Sequence, residues 1–276
     1  MASVTKRIAE IIQPRGGYLK PSEFDREELF DGRELGTENI SPNIVGMAVD
    51  YLSRFMLDRK NNPYVSLETS VTKAFAISLS AYYRREQLVD SAVLKEDKKN
   101  GVEIGQLLSR ITGLNAESII AACKATTYDV WRRNPMSALE SVGPLDINPD
   151  IQTINNIKIM VERSILFFEK YGPILADGFT FEKDGYTDVV DSGDGDFLTK
   201  DTLWDFKVSK NNITNKNTLQ LLMYWIMGKH SKQLIFKYIT QIGIYNPRLN
   251  TVFSYDLSNC PKQTIKDIED KVICYK

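Results

Sequence analysis

The sequence predicts a mixed α/β protein, α+β in the narrower sense, and three observations carry that expectation. The first half repeats apolar residues at helical spacing. From about residue 150 a long amphipathic stretch gives way to short apolar runs that alternate as strands do. Gly, Pro, Asn and Asp collect between those runs, where a chain must turn.

Whole-chain properties bound the function. The chain has 276 residues, enough for one large domain or two small ones with a sizeable core. Its 42% hydrophobic and 26% charged content is that of an ordinary globular protein. The formal net charge is -1, so no global basic field marks a nucleic-acid partner, although a local basic groove fits within a neutral total. Cys123, Cys260 and Cys274 lie far apart, form no C-x-x-C pair and are odd in number. Reduced thiols are therefore expected, not a disulfide framework or a zinc site. No apolar run approaches the ~18 residues of a membrane helix, so no membrane partner is expected. The opening "MASVTKRIAEIIQPRGG" has too short an apolar stretch for a signal peptide, which places the expected location in the cytoplasm.

The elements follow in order. "IAEII" reads as a short helix ended by Pro14 and the Gly16-Gly17 pair, and "PSEFDREELFDGRELG" as polar and turn-rich. Ser41 and Pro42 open a helix through "NIVGMAVDYLSRFML". Further helices are "SLETSVTKAFAISLSAYYRRE", "VEIGQLLSRITG" and "NAESIIAACKATTYDVWRRNP". A Pro- and Gly-rich connection leads into the long helix "DIQTINNIKIMVERSILFFEKYG". Three strand-like runs come next, "GFTFEK", "GYTDVVD" and "TLWDFKVS". "NTLQLLMYWIMG" is a helix closed by Gly228. "QLIFKYITQIGIYNPRLNTVFSYDL" gives two strands joined at an Asn-Pro turn, and "PKQTIKDIEDKV" a final helix. This divides the chain into a mainly helical region, residues 1–145, and an α-β-β-β-α-β-β-α core, residues 146–276.

Acids inside two of the strand-like runs demand a reason. Side chains alternate along a strand, so Leu203, Asp205 and Lys207 share one face while Trp204, Phe206 and Val208 share the other. If "GYTDVVD" pairs antiparallel with this run, Asp188 comes to lie beside Asp205. Two carboxylates at short range repel, and burying them is costly unless a cation sits between them. Lys207 supplies one positive charge. A divalent ion would supply more, and hard oxygen ligands suit Mg²⁺ or Mn²⁺. Such a set fits phosphodiester hydrolysis, with the lysine orienting or deprotonating the attacking water.

Three short motifs carry a resemblance. G-x-x-D at Gly185 to Asp188, D-x-K at Asp205 to Lys207 and Q-x-x-x-Y at Gln220 to Tyr224 resemble the RecB-like branch of the PD-(D/E)XK nucleases, over roughly residues 150 to 260. The resemblance implies a restriction-endonuclease-like mixed sheet flanked by helices. It implies Asp188 and Asp205 as metal ligands for Mg²⁺ or Mn²⁺, Lys207 as the catalytic lysine, and Gln220 and Tyr224 beside the active site. It also implies an acid from the helix before the sheet. Glu162 and Glu169 share a face of that helix, and Glu162 has the more fitting separation from Asp188. The expected activity is that of a metal-dependent nuclease acting on nucleic acid, DNA ahead of RNA, in a setting such as phage DNA processing or anti-phage defence. The alternative is a catalytically silent nuclease fold that binds DNA or a protein partner.

"DSGDGD" fails the EF-hand template, because glycines stand where ligands belong, and reads as a hairpin turn. Lys210 and Lys216, with Lys229 and Lys232 further on, would form a basic rim for the substrate. Arg84-Arg85 and Arg132-Arg133 stand next to Tyr82-Tyr83 and Trp131, a mixture that contacts phosphates or stacks bases in some proteins and forms helix ends in most. His230, the single histidine, follows the Q-x-x-x-Y helix and reads as a helix-end residue. No Walker-type loop is present, so any nucleotide motor would be a separate partner chain.

Overall fold

The computed structural model describes residues 2–182 and 184–276. Its helices are α1 (Val4–Glu10), α2 (Pro42–Asn61), α3 (Leu67–Ala74), α4 (Ala76–Glu86), α5 (Ser91–Lys99), α6 (Ile104–Leu108), α7 (Ala116–Thr126), α8 (Val130–Arg133), α9 (Pro135–Ala138), α10 (Ile151–Tyr171), α11 (Asn215–His230) and α12 (Lys262–Ile268). The strands are β1 (Ala2–Ser3), β2 (Asp25–Glu28), β3 (Ala176–Phe179), β4 (Val190–Ser192), β5 (Gly195–Leu198), β6 (Thr202–Phe206), β7 (Gln241–Asn246) and β8 (Thr251–Asp256). Capping side chains fix several helix starts: Ser3, Ser66, Asp90 and Asn115 each accept a backbone N–H of the first turn. Ser41 precedes α2 as expected, but its side chain makes no capping bond, and Pro42 alone marks the start.

The chain forms two units, residues 32–166 and residues 1–31 with 167–276. This differs from the expected division at residue 145 in two ways. The first 31 residues belong with the C-terminal sheet, because β1 pairs with β4, β2 pairs with β8, and Val4 and Ile8 of α1 enter the sheet unit's core. Most of α10 belongs with the helical unit, and the division falls at Phe167. In the helical unit α2 and α7 bury Val45, Leu52, Phe55, Ile119 and Ala122.

The sheet unit holds a mixed six-stranded sheet in the order β2-β8-β7-β6-β5-β3, with only β6 and β7 parallel. Every residue of β6 is buried, so both of its faces are covered. On one face Leu203, Ile242 and Ile244 share a core with Leu219, Leu222, Met223 and Ile226 of α11. On the other face Trp204 and Phe206 meet Phe167, Phe197 and Tyr245, with Phe167 stacked on Tyr245 at 4.0 Å between ring centroids. The ring of Trp204 lies so close over β7 that a Cβ at Gly243 would meet it at 2.3 Å.

The expected strands shift. "GFTFEK" becomes β3, which ends at Phe179, and Lys183 lies outside the described residues. "GYTDVVD" contributes only its last two residues to β4, which pairs with β1 and not with the large sheet. An additional strand, β5, occupies the end of "DSGDGD" and the residues after it. No helix among the described residues is long and apolar enough to cross a membrane.

Candidate active site

A tight hairpin sets the geometry. Thr199 N–H donates to the Thr202 carbonyl at 3.0 Å, so the chain reverses through Lys200 and Asp201. Phe197 then pairs with Trp204 and Leu198 with Leu203. The pairing ends there, and extending its register by one step would set Asp196 across from Asp205; both charges act on the same phenol, that of Tyr224. Residues so opposed share a face, with Cβ atoms about 5 Å apart, and like charges there destabilise the pair. The Asp196 carboxylate accepts the Phe206 N–H at 2.8 Å. Asp205 is 3% exposed, and its Oδ2 lies 3.1 Å from Nζ of Lys207, whose side chain is 35% exposed. The ammonium thus stands between a buried carboxylate and open water.

Asp188 lies elsewhere, and its expected place beside Asp205 is corrected. Residues 187–190 close a turn in which Thr187 N–H donates to the Val190 carbonyl and the Thr187 hydroxyl accepts the Val189 and Val190 N–H groups. The Asp188 carboxylate points to solvent and meets Lys276 Nζ at 2.8 Å, which holds its pKa below the usual carboxylate value. The position beside β6 is filled by β5. The spacing G-x-x-D occurs a second time, at Gly193 to Asp196, and this copy ends in β5, whose Asp196 reaches the residue after Asp205. "DSGDGD" is therefore a turn only in part, since its first two residues end β4 and its last two begin β5.

Gln220 and Tyr224 lie on α11, which packs over the face that holds Asp205. Both are buried, and Gln220 Nε2 donates to the Tyr224 hydroxyl at 2.9 Å. The phenol pKa is raised, first by burial and then by the charge of Asp205, with Asp196 and Asp194 adding to it. Tyr224 therefore stays protonated at neutral pH. Its oxygen accepts from Gln220.

The remaining expected residues divide. Glu162 belongs to the helical unit, where it pairs with Arg33 at 2.5 Å. Glu169, in the sheet unit, is exposed on α10. The parallel pair β6 and β7 is joined through α11, so the helix runs back along the sheet. Lys210 and Lys216, both exposed, lie at the end of β6 that carries Lys207. Lys229 and Lys232 lie at the far end of α11, about 20 Å away at 1.5 Å per residue. There Lys229 bonds the Phe236 and Lys237 carbonyls and Lys232 pairs with Asp184. Lys229 and Lys232 are therefore not gathered with Lys210 and Lys216. His230 ends α11, stacks on Tyr275 at 3.6 Å and bonds Glu269.

The donor set can be tested against a metal. Among the described residues no group of three or more His, Cys, Asp or Glu side chains is gathered. Two neighbouring carboxylates with one lysine are what Asp196 and Asp205 offer. Zinc and calcium cages take more protein ligands than that. Mg²⁺ binds through one or two carboxylates and fills its other positions with water and substrate phosphates, so the residues present fit it. Compared with family models, curated proteins and solved structures, the chain matches none.

Proposed function

We propose that the protein is a metal-dependent nuclease, and that its core is a RecB-like member of the PD-(D/E)XK nucleases with the restriction-endonuclease-like fold. One observation carries this: the Asp196 carboxylate of β5 reaches the Phe206 N–H of β6, which brings it next to Asp205 and its partner Lys207. The element order supports it, with α10, the antiparallel strands β3, β5 and β6, then α11 and the parallel strand β7.

In this reading Asp196 and Asp205 hold Mg²⁺ or Mn²⁺, and Asp196 takes the role that the sequence resemblance implied for Asp188. When bound, the ion supplies an acidic water and neutralises charge on the phosphate oxygens. Lys207 donates to the attacking water and to the charge that grows on the phosphate, which orients the one and stabilises the other. As the water oxygen bonds phosphorus, the bond to the leaving oxygen breaks and a proton must reach that oxygen. Tyr224, kept protonated by its acidic surroundings and held by Gln220, fixes the second wall of the site. Lys210 and Lys216 contact the substrate's phosphates, and the substrate is DNA in preference to RNA.

Cleavage of supercoiled, linear and single-stranded DNA, and of RNA, tests the reading in Mg²⁺, Mn²⁺ and EDTA. Metal-dependent cutting is expected, with Lys207→Ala slowing it by about 10² to 10⁴-fold. Wild-type protein that binds DNA tightly yet cuts nothing would instead support a silent nuclease fold used as a binding module.

A further inference from the structure

The Arg and aromatic residues of the helical unit, unused by the reading above, meet in one place. Helix α4 packs against α8, so Arg85 lies under Tyr128 and Trp131, its guanidinium carbon 5.4 Å and 5.8 Å from the two ring centroids. A cavity of about 150 Å³ opens there, lined by these three residues together with Ser141, Gly143 and Pro144. Arg85 is only 8% exposed, yet among the described residues its guanidinium makes one hydrogen bond, from Nη1 to Asp97 Oδ2 at 2.5 Å. A guanidinium has five N–H donors in a rigid fork, so four of them remain. The Trp131 indole N–H makes no hydrogen bond among the described residues either. No N–H of Arg85 or Trp131 is among the enclosed side-chain atoms that lack a partner, so these donors open onto the cavity, where the acceptor of a bound molecule can take the place of water.

Size, shape and polarity specify that acceptor. A cavity near 150 Å³ holds one aromatic ring. Its Arg85 and Trp131 donors call for acceptors, and a space of one ring's volume walled by Tyr128 and Trp131 favours a planar ligand. The Asp97 carboxylate is already engaged by Arg85. We propose that this cavity binds a single unstacked pyrimidine base, and cytosine in preference, because its N3 and O2 are adjacent acceptors that fit a guanidinium fork. Uracil and thymine interpose an N–H donor between their oxygens, and purines exceed the cavity. The inference stands independently of the hydrolytic reading, because it concerns the helical unit alone.

Calorimetric titration in EDTA tests it without any need for cleavage. The probes are cytidine, CMP, uridine, adenosine, a short oligo-dC strand and inorganic phosphate. Cytidine and CMP are expected to bind at least about tenfold tighter than adenosine, and phosphate not to bind. A tighter oligo-dC than CMP assigns the base to a strand, and equal values assign it to a free nucleotide. Arg85→Lys keeps the charge beside Asp97 but loses the fork, and is expected to weaken cytidine by about tenfold. Ser141→Phe closes the mouth from an exposed position and is expected to abolish binding while the thermal midpoint holds. Equal affinity for cytidine and adenosine, binding of phosphate alone, or full cytidine affinity in Ser141→Phe would overturn the proposal.

Discussion

Two buried carboxylates, one in each unit, show opposite treatment of the same group. Asp129 in the helical unit is 1% exposed and accepts from the Tyr51 hydroxyl at 2.5 Å and the Ser78 hydroxyl at 2.6 Å. Arg133 stands 3.8 Å away. Asp205 in the sheet unit is 3% exposed, has the Asp196 carboxylate bonded to the next residue's N–H and a half-exposed lysine at 3.1 Å. A buried acid ringed by donors is finished by the protein itself. One placed next to another acid leaves electrostatic work for something that binds. The first stabilises a core, and in the proposed reading the second gives up stability for chemistry.

The largest stability effect should come from the finished site. Asp129→Ala removes the acceptor of two buried hydroxyls and is expected to cost about 2–4 kcal/mol by denaturant unfolding of the helical unit. Burial raises the Asp129 pKa above its usual 3.8, against the lowering from Ser78 and Tyr51. Its contribution is therefore full below the unfolded value and declines as pH rises through the folded one. The gap between wild type and Asp129→Ala should be widest in acid and narrow toward neutral pH. A gap that widens instead would mean that the carboxylate is stabilised in its charged form.

Asp205→Asn should do the reverse in EDTA. It removes one of two neighbouring charges, so the sheet unit is expected to hold its stability or gain up to ~1 kcal/mol. The same substitution should abolish any stabilisation by Mg²⁺. A loss of more than about 2 kcal/mol in EDTA would put Asp205 in the same class as Asp129. The smallest effect belongs to Asp188. Its pair with Lys276 is exposed on both sides, at 85% and 89%, so Asp188→Ala should change neither the thermal midpoint nor cleavage measurably.

The sequence made part of this site legible. Alternation within "TLWDFKVS" put Asp205 and Lys207 on one face, and helical spacing put Gln220 and Tyr224 together. The partner acid was hidden because Gly193, Asp194 and Gly195 read locally as a turn. Gly195 is in a strand for a distant reason: the Phe179 ring of β3 lies across it, and a Cβ would meet that ring at 2.1 Å. The local signal for the true hairpin was Thr-Lys-Asp-Thr between two apolar pairs, a two-residue reversal with no glycine. The first 31 residues were equally opaque, since β1 and β2 pair with strands more than 180 positions away. β2 reads Asp-Arg-Glu-Glu, fully exposed, as suits an edge strand protected by charge, and carries no apolar alternation to reveal it.

The central claim is that Asp196 and Asp205, and not Asp188, form the acidic pair. Mn²⁺ binding followed by electron paramagnetic resonance measures this directly on wild type, Asp188→Ala, Asp196→Ala and Asp205→Ala. Asp188→Ala should bind as wild type does, and each of the other two should bind at least about tenfold more weakly. Loss of binding in Asp188→Ala with full binding in Asp196→Ala would contradict the account.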